Sequence, residues 1–200
     1  VIMTEQVAPA FAAGHQAPVP YLVGGNSYEA SLFRPTPEQV LPLLGPKKDE
    51  IVALFGGAAN INKTVADMST DRAITEPNRY LARNMKSVNQ PAYLYYFSYL
   101  PEALRATSIG VPHGGEIGYV FGNLRDTATP ADRAISDAAT KYWVQFAKTG
   151  NPSDAGGTVW PAYAQADDEW LEFGFDGPQV RKNFRKAQLD WLEANPGPRQ

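Results

Sequence analysis

Two polar residues in glycine-rich surroundings have the chemical types needed for proton transfer. His113 stands in residues 110–122, GVPHGGEIGYVFG, between a proline and a pair of glycines and just before an apolar run. Glu29 stands in GGNSYEASLF, directly after another apolar stretch. A carboxylate that accepts an imidazole N–H fixes the histidine tautomer and stabilises the imidazolium. The two residues therefore suggest an orienting acid and a general base.

Each residue also has a plainer interpretation. A metal-binding His113 would need further ligands, and His113-x-x-Glu116 has no second histidine nearby and no cysteine to help it. His113 would also be ordinary as a hydrogen-bonded core histidine, although a glycine-flanked loop after a buried strand favours a functional role. Glu29 would suit the N-terminus of a short helix beginning at Ala30, where an acid contributes about 0.3–1 kcal/mol without any catalysis.

The composition of the 200-residue chain disfavours several classes of function. A formal charge of −3, without any Lys/Arg-rich run, argues against a nucleic acid as the partner. No apolar run approaches the roughly 18 residues that cross a bilayer. The absence of cysteine excludes disulfides, thiol catalysis and Cys-ligated zinc. We therefore predict neither a metal, a cofactor nor a membrane span.

The elements that must position these residues alternate between strands and helices. Residues 19–26 and the aromatic run AYLYYFSY at 92–99 predict buried strands, and residues 169–175 predict a short β element. Helical patterns begin near residues 36, 46, 60 and 77, and two longer helices are predicted at 130–149 and about 178–194. This order predicts an α/β fold whose sheet is mostly parallel and flanked by helices.

The nucleophile that such a base would serve is missing from the sequence. No serine stands in the elbow pattern G-x-S-x-G, and the nearest match, GGNSYE, has Glu29 in place of the last glycine. In that pattern's fold the chain order is serine, acid, histidine, so the serine should lie upstream of Val1. The chain opens VIMTEQ, without an initiator methionine, and we expect it to be a processed product or a fragment.

Five stretches in fixed order resemble one family. VPYLVGGNSYEASLF and GVPHGGEIGYVFG are similar to the acid and histidine motifs of the type-B carboxylesterase/cholinesterase family, P-x-x-x-G-x-N-x-x-E-x-x-x-F and H-G-x-E-(I/L)-x-Y-V-F-G. MSTDRAITEPNRYLARN, PAYLYYFSY and KYWVQFAKTGNPSDAGGTVWPAY resemble further family segments, with Ile74 where an aromatic is usual. The resemblance runs from about residue 19 to the last helix. It implies that residues 1–200 form the C-terminal part of an α/β-hydrolase fold, with a leading segment at 1–18, a tail at 195–200 and the nucleophile-bearing N-terminal part absent.

The resemblance also implies roles for individual residues. Glu29 would be the triad acid and His113 the general base. Glu116 would be the family's buried glutamate linked to the site, although it would also suit the first turn of a helix. Asp71 would be a buried, supporting aspartate. Two aromatics, Phe97 and Tyr99, would reach the acyl or alcohol pocket, and their plainer interpretation is as core residues.

The leading functional hypothesis is the C-terminal portion of a serine carboxylesterase that hydrolyses carboxylic esters. Its partners would be a small-molecule ester and the N-terminal part of the same enzyme. Without serine or oxyanion hole, whose donors each contribute about 2.7–4 kcal/mol, this chain alone is predicted to be inactive. The alternatives are a non-catalytic, cholinesterase-like binding or adhesion module, or a solo domain without a function of its own. Lack of cysteine differs from the disulfide-bearing animal cholinesterases and favours a bacterial protein, periplasmic or secreted, but the sequence fixes neither the compartment nor the ester.

Overall fold

The computed structural model describes residues 5–196, apart from the side chains of residues 154 and 155, and contains within them a four-stranded sheet. The strands are β1 (Tyr21–Asn26), β2 (Ala92–Phe97), β3 (Trp170–Gly174) and β4 (Gly177–Arg181), side by side in that order. β1 and β3 are parallel to β2, and β4 is antiparallel to β3. The register pairs Asn26 with Phe97, so the carboxyl ends of β1 and β2 meet at the same edge of the sheet. The predicted α/β fold with a mostly parallel sheet is confirmed.

Helices flank this sheet along most of the described chain. The α-helices are α1 (Val7–Ala13), α2 (Pro37–Val40), α3 (Lys48–Leu54), α4 (Ile61–Thr70), α5 (Glu76–Asn84), α6 (Ile117–Val120), α7 (Pro130–Thr149) and α8 (Lys186–Ala194). Short 3₁₀ turns lie at Glu29–Leu32, Leu41–Lys47, Met85–Val88, Glu102–Leu104 and Pro152–Ala155.

The core has two parts because the side chains of β2 alternate between the two faces of the sheet. Phe97 and Tyr93 point into a cluster with Trp160, Phe173 and buried residues of α7. Leu94 and Tyr96 point into the opposite cluster, which contains residues of α3, α4, α5 and α8. A strand buried on both faces explains why the aromatic run reads as continuously apolar.

α7 begins and ends where its sequence signals predict. Thr129 caps its N-terminus: the Oγ1 atom accepts the Asp132 N–H at 3.2 Å, and the Asp132 carboxylate accepts the Thr129 N–H at 2.7 Å. Gly150 follows the last helical residue in a left-handed conformation. These two local signals, with Pro130 at the first helical position, account for the agreement.

The helices predicted near residues 60 and 77 are one continuous helical segment. α4 passes into α5 through a π-helical turn at Asp71–Thr75. Proline was expected to start a new helix at Pro77, because it lacks an N–H and disturbs the regular ladder of a helix interior. The widened turn directly before it instead accommodates the proline, as π-bulges commonly do.

The predicted helix at about 178–194 is wrong over residues 178–185, nearly half of its length. Gly177–Arg181 forms β4, and α8 begins only at Lys186. The hairpin between β3 and β4 turns through Phe175 and Asp176, and Gly177 has a φ of +86°, which favours glycine. Pro178 is tolerated because β4 is the edge strand of the described sheet. Apolar residues spaced like a helical stripe misled the prediction.

The two ends of the chain were predicted only in outline. The leading segment 1–18 contains α1, which the sequence analysis did not predict, and the Phe11 ring of α1 packs on Tyr21 at a centroid distance of 5.6 Å. Residues 1–4 and 197–200 lie outside the described residues, and with them most of the predicted tail at 195–200. Between residues 5 and 196, no helix is both long enough and apolar enough to span a membrane.

Candidate active site

Glu29 lies directly beyond the carboxyl end of β1, where it opens a 3₁₀ turn. Glu29 as a whole is 5% exposed. One carboxylate oxygen, Oε1, accepts the backbone N–H of Asn26 at 2.7 Å. α4 also holds this turn, since the Ala30 N–H donates to Thr70 Oγ1 at 3.0 Å. Glu29 is therefore a buried carboxylate in a fixed position, with its second oxygen left for another partner.

That partner is His113. The distance between His113 Nδ1 and Glu29 Oε2 is 2.5 Å, a short, charge-assisted contact. The imidazole side chain is 53% exposed, whereas the Glu29 side chain is 6% exposed. Because Glu29 accepts at Nδ1, the neutral imidazole carries its proton there, and the lone pair is on Nε2 at the opposite side of the ring. The geometry thus presents a basic nitrogen from an exposed ring.

Backbone and hydroxyl contacts bind the His113 loop to the Glu29 loop. The Tyr28 N–H donates to the Val111 carbonyl at 2.9 Å, and the Val111 N–H donates to Ser27 Oγ at 2.8 Å. The His113 N–H donates to Ser31 Oγ at 2.8 Å. Tyr28 also forms an isolated parallel bridge with Pro112. Glu29 and His113 are therefore carried by two loops that these contacts hold together, although 84 residues separate them in sequence.

Glu116 is linked to this pair through Asn26. The Asn26 side-chain amide donates to the Glu116 carboxylate and, at 3.0 Å, to the Pro112 carbonyl. Glu116 also stands directly before α6, at its N-cap position. Glu116 is partly buried and lies just before the first turn of α6, and its supporting role in the site stays a prediction. Asn26 lies in the motif around Glu29, and the sequence alone indicates no role for it.

Tyr95 is a partly buried tyrosine whose pKa is affected by the charges of Glu116 and Glu29. It lies in the middle of β2, paired with Gly24, and its ring packs on Trp143 at 5.0 Å. Burial raises the pKa of the Tyr95 phenol, and the negative charges of Glu116 and Glu29 raise that pKa further. The phenol therefore stays neutral beside two carboxylates. Its position within an aromatic run gave no signal that would have distinguished it from a core residue.

Asp71 is held by the helical layer. Its carboxylate is 1% exposed and pairs with the Arg185 guanidinium, with Oδ2 lying 2.6 Å from Nη2 and 2.7 Å from Nε. Burial raises the pKa of Asp71, and the nearby Arg185 charge opposes that rise. This ion pair ties the π-helical turn to the segment before α8. A supporting role for Asp71 in the active site stays a prediction.

Phe97 and Tyr99 lie in the core. Phe97 is fully buried and stacks on Phe173 at 5.8 Å. Tyr99 is 2% exposed, and its hydroxyl donates to Asp132 Oδ1 at 2.8 Å. These contacts account for both rings as packing residues, and contact of either ring with a substrate stays a prediction.

The chemistry available at the site is proton transfer. Glu29 and His113 form an acid–imidazole pair of the kind that activates a hydroxyl nucleophile. Among residues 5–196, no group of three His, Cys, Asp or Glu side chains is arranged to hold a metal ion. Glu29 and His113 thus provide a carboxylate and an imidazole whose ring nitrogen Nδ1 it contacts.

Comparisons with known proteins point to one family. Residues 56–192 match the sequence model of the Carboxylesterase family, a span that includes His113 and begins after Glu29. Carboxylesterase 1D of Rattus norvegicus is 28% identical over 164 residues, which cover 78% of this chain and 28% of that protein. Carboxylesterase 1C of Rattus norvegicus is 27% identical over 206 residues, which cover 88% of this chain and 37% of that protein. The chain therefore spans only about a third of the length of these relatives.

Solved structures show the same fold. A PNB esterase superposes with a TM-score of 0.72 at 24% identity, covering 93% of this chain and 41% of the other. A carboxylesterase of Geobacillus stearothermophilus also gives a TM-score of 0.72, at 20% identity, covering 91% of this chain and 42% of the other. The mixed sheet and its flanking helices thus have the α/β-hydrolase fold of these two structures.

Proposed function

Because this chain belongs to the carboxylesterase family, we propose that it supplies the acid and the general base of a serine carboxylesterase. The observation that carries the proposal is the 2.5 Å contact between buried Glu29 and half-exposed His113. The nucleophilic serine and the oxyanion hole would come from polypeptide that precedes this chain in the complete enzyme. The substrates would be carboxylic esters.

In the proposed mechanism, His113 Nε2 removes the proton of the serine hydroxyl as the serine oxygen attacks the ester carbonyl. The imidazolium then donates that proton to the departing alcohol oxygen, which leaves an acyl-serine. His113 next takes a proton from water as the water oxygen attacks the acyl carbonyl. The bond between the acyl carbon and the serine oxygen then breaks, the carboxylic acid leaves, and His113 returns the proton to the serine oxygen. Glu29 stays ionised throughout and stabilises each imidazolium.

The open side of β1 supports the proposed location of the missing part. β1 is the outermost strand of the described sheet and pairs with β2 on its other side. The Gly24 carbonyl of β1 accepts from the Asn78 side chain at 2.8 Å, and the Asn26 N–H donates to Glu29 Oε1. In this fold, nucleophiles lie at the carboxyl ends of parallel strands. A strand added beside β1 would bring its following loop to the edge that carries Glu29 and His113.

A fluorophosphonate probe tests the proposal on the native protein, isolated with any chain that accompanies it. We expect the probe to label a serine in a G-x-S-x-G pattern, and mass spectrometry locates it. Replacement of His113 by glutamine should abolish labelling and the hydrolysis of p-nitrophenyl acetate. His15→Gln is the matched control, because His15 Nδ1 contacts Glu5 Oε1 at a similar 2.7 Å but lies outside the proposed site.

Three outcomes would contradict the proposal. Hydrolysis by the 200-residue chain alone, lost on replacing His113, would mean that no upstream serine is needed. Labelling that survives His113→Gln would remove the histidine from the mechanism. A folded, complete protein with glycine at the elbow, unlabelled by the probe, would favour the binding or adhesion module instead.

A further inference from the structure

We infer that Asn26 is a positioning residue that holds the acid and the base of this site in one arrangement. The inference rests on the proposed function and adds a residue to it. Asn26 is the last residue of β1 and is fully buried. Its backbone N–H binds Glu29, and its side chain binds the Pro112 carbonyl and the Glu116 carboxylate. One residue thus contacts the acid directly and the base through the peptide unit beside it.

The orientation of the Asn26 amide follows from its partners. The Pro112 carbonyl and the Glu116 carboxylate are both acceptors, so the amide nitrogen, with its two N–H groups, must face them. The opposite orientation would place the amide oxygen against two other oxygens. In the observed orientation, Oδ1 has no hydrogen-bond partner among residues 5–196. The Asn26 side chain therefore donates two hydrogen bonds, and its contribution is more than the filling of space.

Loss of this double donor should shift the His113 loop without unfolding it. The contacts of that loop with Ser27, Tyr28 and Ser31 do not involve the Asn26 side chain. What would be lost is the link between Pro112, which precedes His113, and Glu116, which follows it. A displacement of about 1 Å at a catalytic group typically costs about 100-fold in rate. We therefore expect a defect in catalysis that exceeds the defect in stability.

Two variants separate donation from packing. Asn26→Ala removes the side chain, and Asn26→Asp keeps its shape but replaces both N–H groups with an acceptor. If the residue only filled space, the aspartate would be harmless. Because it donates twice, we expect the aspartate to be at least as damaging as the alanine, since its carboxylate would face two acceptors.

The control is Asn78→Ala, which removes an amide that donates to the backbone of the same strand. This donor meets the Gly24 carbonyl and contacts neither the Glu29 nor the His113 loop in the described structure. It reports how much any lost hydrogen bond on β1 affects the protein. In the complete enzyme we expect about a 100-fold fall in kcat with KM within about twofold for Asn26→Ala, and kcat within about threefold of wild type for Asn78→Ala.

A second readout needs no activity and uses the 200-residue chain. The ¹⁵N chemical shifts of the His113 ring give the fraction of neutral imidazole that carries its proton on Nδ1, which reports the Glu29 contact. We expect a high Nδ1–H fraction in the wild type and in Asn78→Ala, and a clear drop in Asn26→Ala and Asn26→Asp. Faster hydrogen exchange of the His113 amide should accompany the drop.

The outcomes distinguish this inference from the proposed function. A low Nδ1–H fraction in the wild type would contradict the Glu29–His113 pair and thereby the proposed function itself. A high fraction in the wild type that is unchanged in both Asn26 variants would overturn the positioning role alone. An Asn26→Asp enzyme with wild-type kcat would overturn it as well.

Discussion

Replacing Glu29 with glutamine should move the imidazole proton to the wrong nitrogen. Both carboxylate oxygens receive a donor: Asn26 N–H reaches Oε1 at 2.7 Å, and His113 Nδ1 reaches Oε2 at 2.5 Å. A glutamine at this position offers one oxygen and one NH₂ group. One of the two former donors must therefore face an NH₂ group.

Burial decides which donor loses its acceptor. If the NH₂ faced the Asn26 N–H, a buried donor would be unsatisfied, at a cost of about 1–3 kcal/mol. If the NH₂ faced His113 instead, it would donate to Nδ1, and the ring proton would move to Nε2. The ring is 53% exposed, so water can bind that proton. The second arrangement is favoured by about 1–3 kcal/mol, or about 5- to 150-fold.

A proton on Nε2 removes the lone pair that would accept the serine proton. Substitution of the orienting acid by its amide in a serine triad lowers kcat by about 10⁴, which corresponds to about 5.5 kcal/mol of transition-state stabilisation. We expect a loss of that order in fluorophosphonate labelling and ester hydrolysis by the complete enzyme. The free energy of unfolding should change by no more than about 1 kcal/mol, because the shape and one buried hydrogen bond are retained.

The assay combines ring ¹⁵N shifts with the labelling rate, and Glu5→Gln is the matched control. Glu5 contacts His15 through the same atoms, but both side chains are exposed, at 37% and 59%. Its substitution should leave labelling unchanged. A Glu29→Gln protein that keeps its proton on Nδ1, or that labels within tenfold of wild type, would refute the reasoning from burial.

Three predictions concern stability, each measured by urea unfolding followed by tryptophan fluorescence. Arg79→Met should cost about 3–5 kcal/mol, because it removes the ion-pair partner, 3.0 Å away, of the Asp168 carboxylate, which is 2% exposed. The added change Asp168→Asn should recover part of that loss, and equal stabilities of the single and double variants would contradict this. Gly24→Ala should cost at least about 2 kcal/mol, since the alanine Cβ would lie 2.2 Å from the Tyr95 carbonyl oxygen. A cost near zero would contradict this, because it would mean that β1 and β2 move apart to admit the methyl group without loss of stability. Asp132→Ala should cost about 2 kcal/mol at pH 7. Although burial raises the pKa of Asp132, hydrogen bonds outweigh it and lower that pKa, so the contribution is present above about pH 4 and decreases as pH falls further; a deficit that does not shrink below about pH 4 would contradict this.

The fold was predictable where local signals and burial agree. β2 carries a run of aromatics too dense for any exposed element, and α7 has a cap, a proline and a terminal glycine at the correct spacing. The segment after β3 was mispredicted because its apolar spacing suits a helix, whereas pairing with β3 decides its conformation. Pairing between strands is a long-range effect, and helical periodicity does not report it. The π-helical turn before Pro77 was not predicted for a similar reason, because tertiary packing decides where such a turn forms.

Within the candidate site, the sequence pointed to Glu29 and His113, whose catalytic roles stay predictions, and did not point to the residues around them. Glu29 and His113 follow predicted strands and stand in motifs that resemble a family's. Asn26 acts through contacts made across the fold, since it joins three partners from two loops. A buried asparagine at a strand end is common in sequences. Its significance emerges only from the acceptors that surround it.

A histidine–glutamate contact is not by itself a reason to expect catalysis, and this chain contains the comparison that shows why. His15 and Glu5 lie 2.7 Å apart, nearly the distance within the His113–Glu29 pair. Neither His15 nor Glu5 is buried, however. An exposed pair is screened by water and contributes about 0–1 kcal/mol, so it fixes neither a tautomer nor an orientation. In the proposed site the carboxylate is buried and held by a second donor, while the base is half-exposed and held by its own backbone. Because Glu29 is buried, its carboxylate is costly to leave without a hydrogen-bond donor. Because His113 is half-exposed, its Nε2 atom stays accessible to a nucleophile. The asymmetry of burial, more than the distance, is what suits this pair to proton transfer.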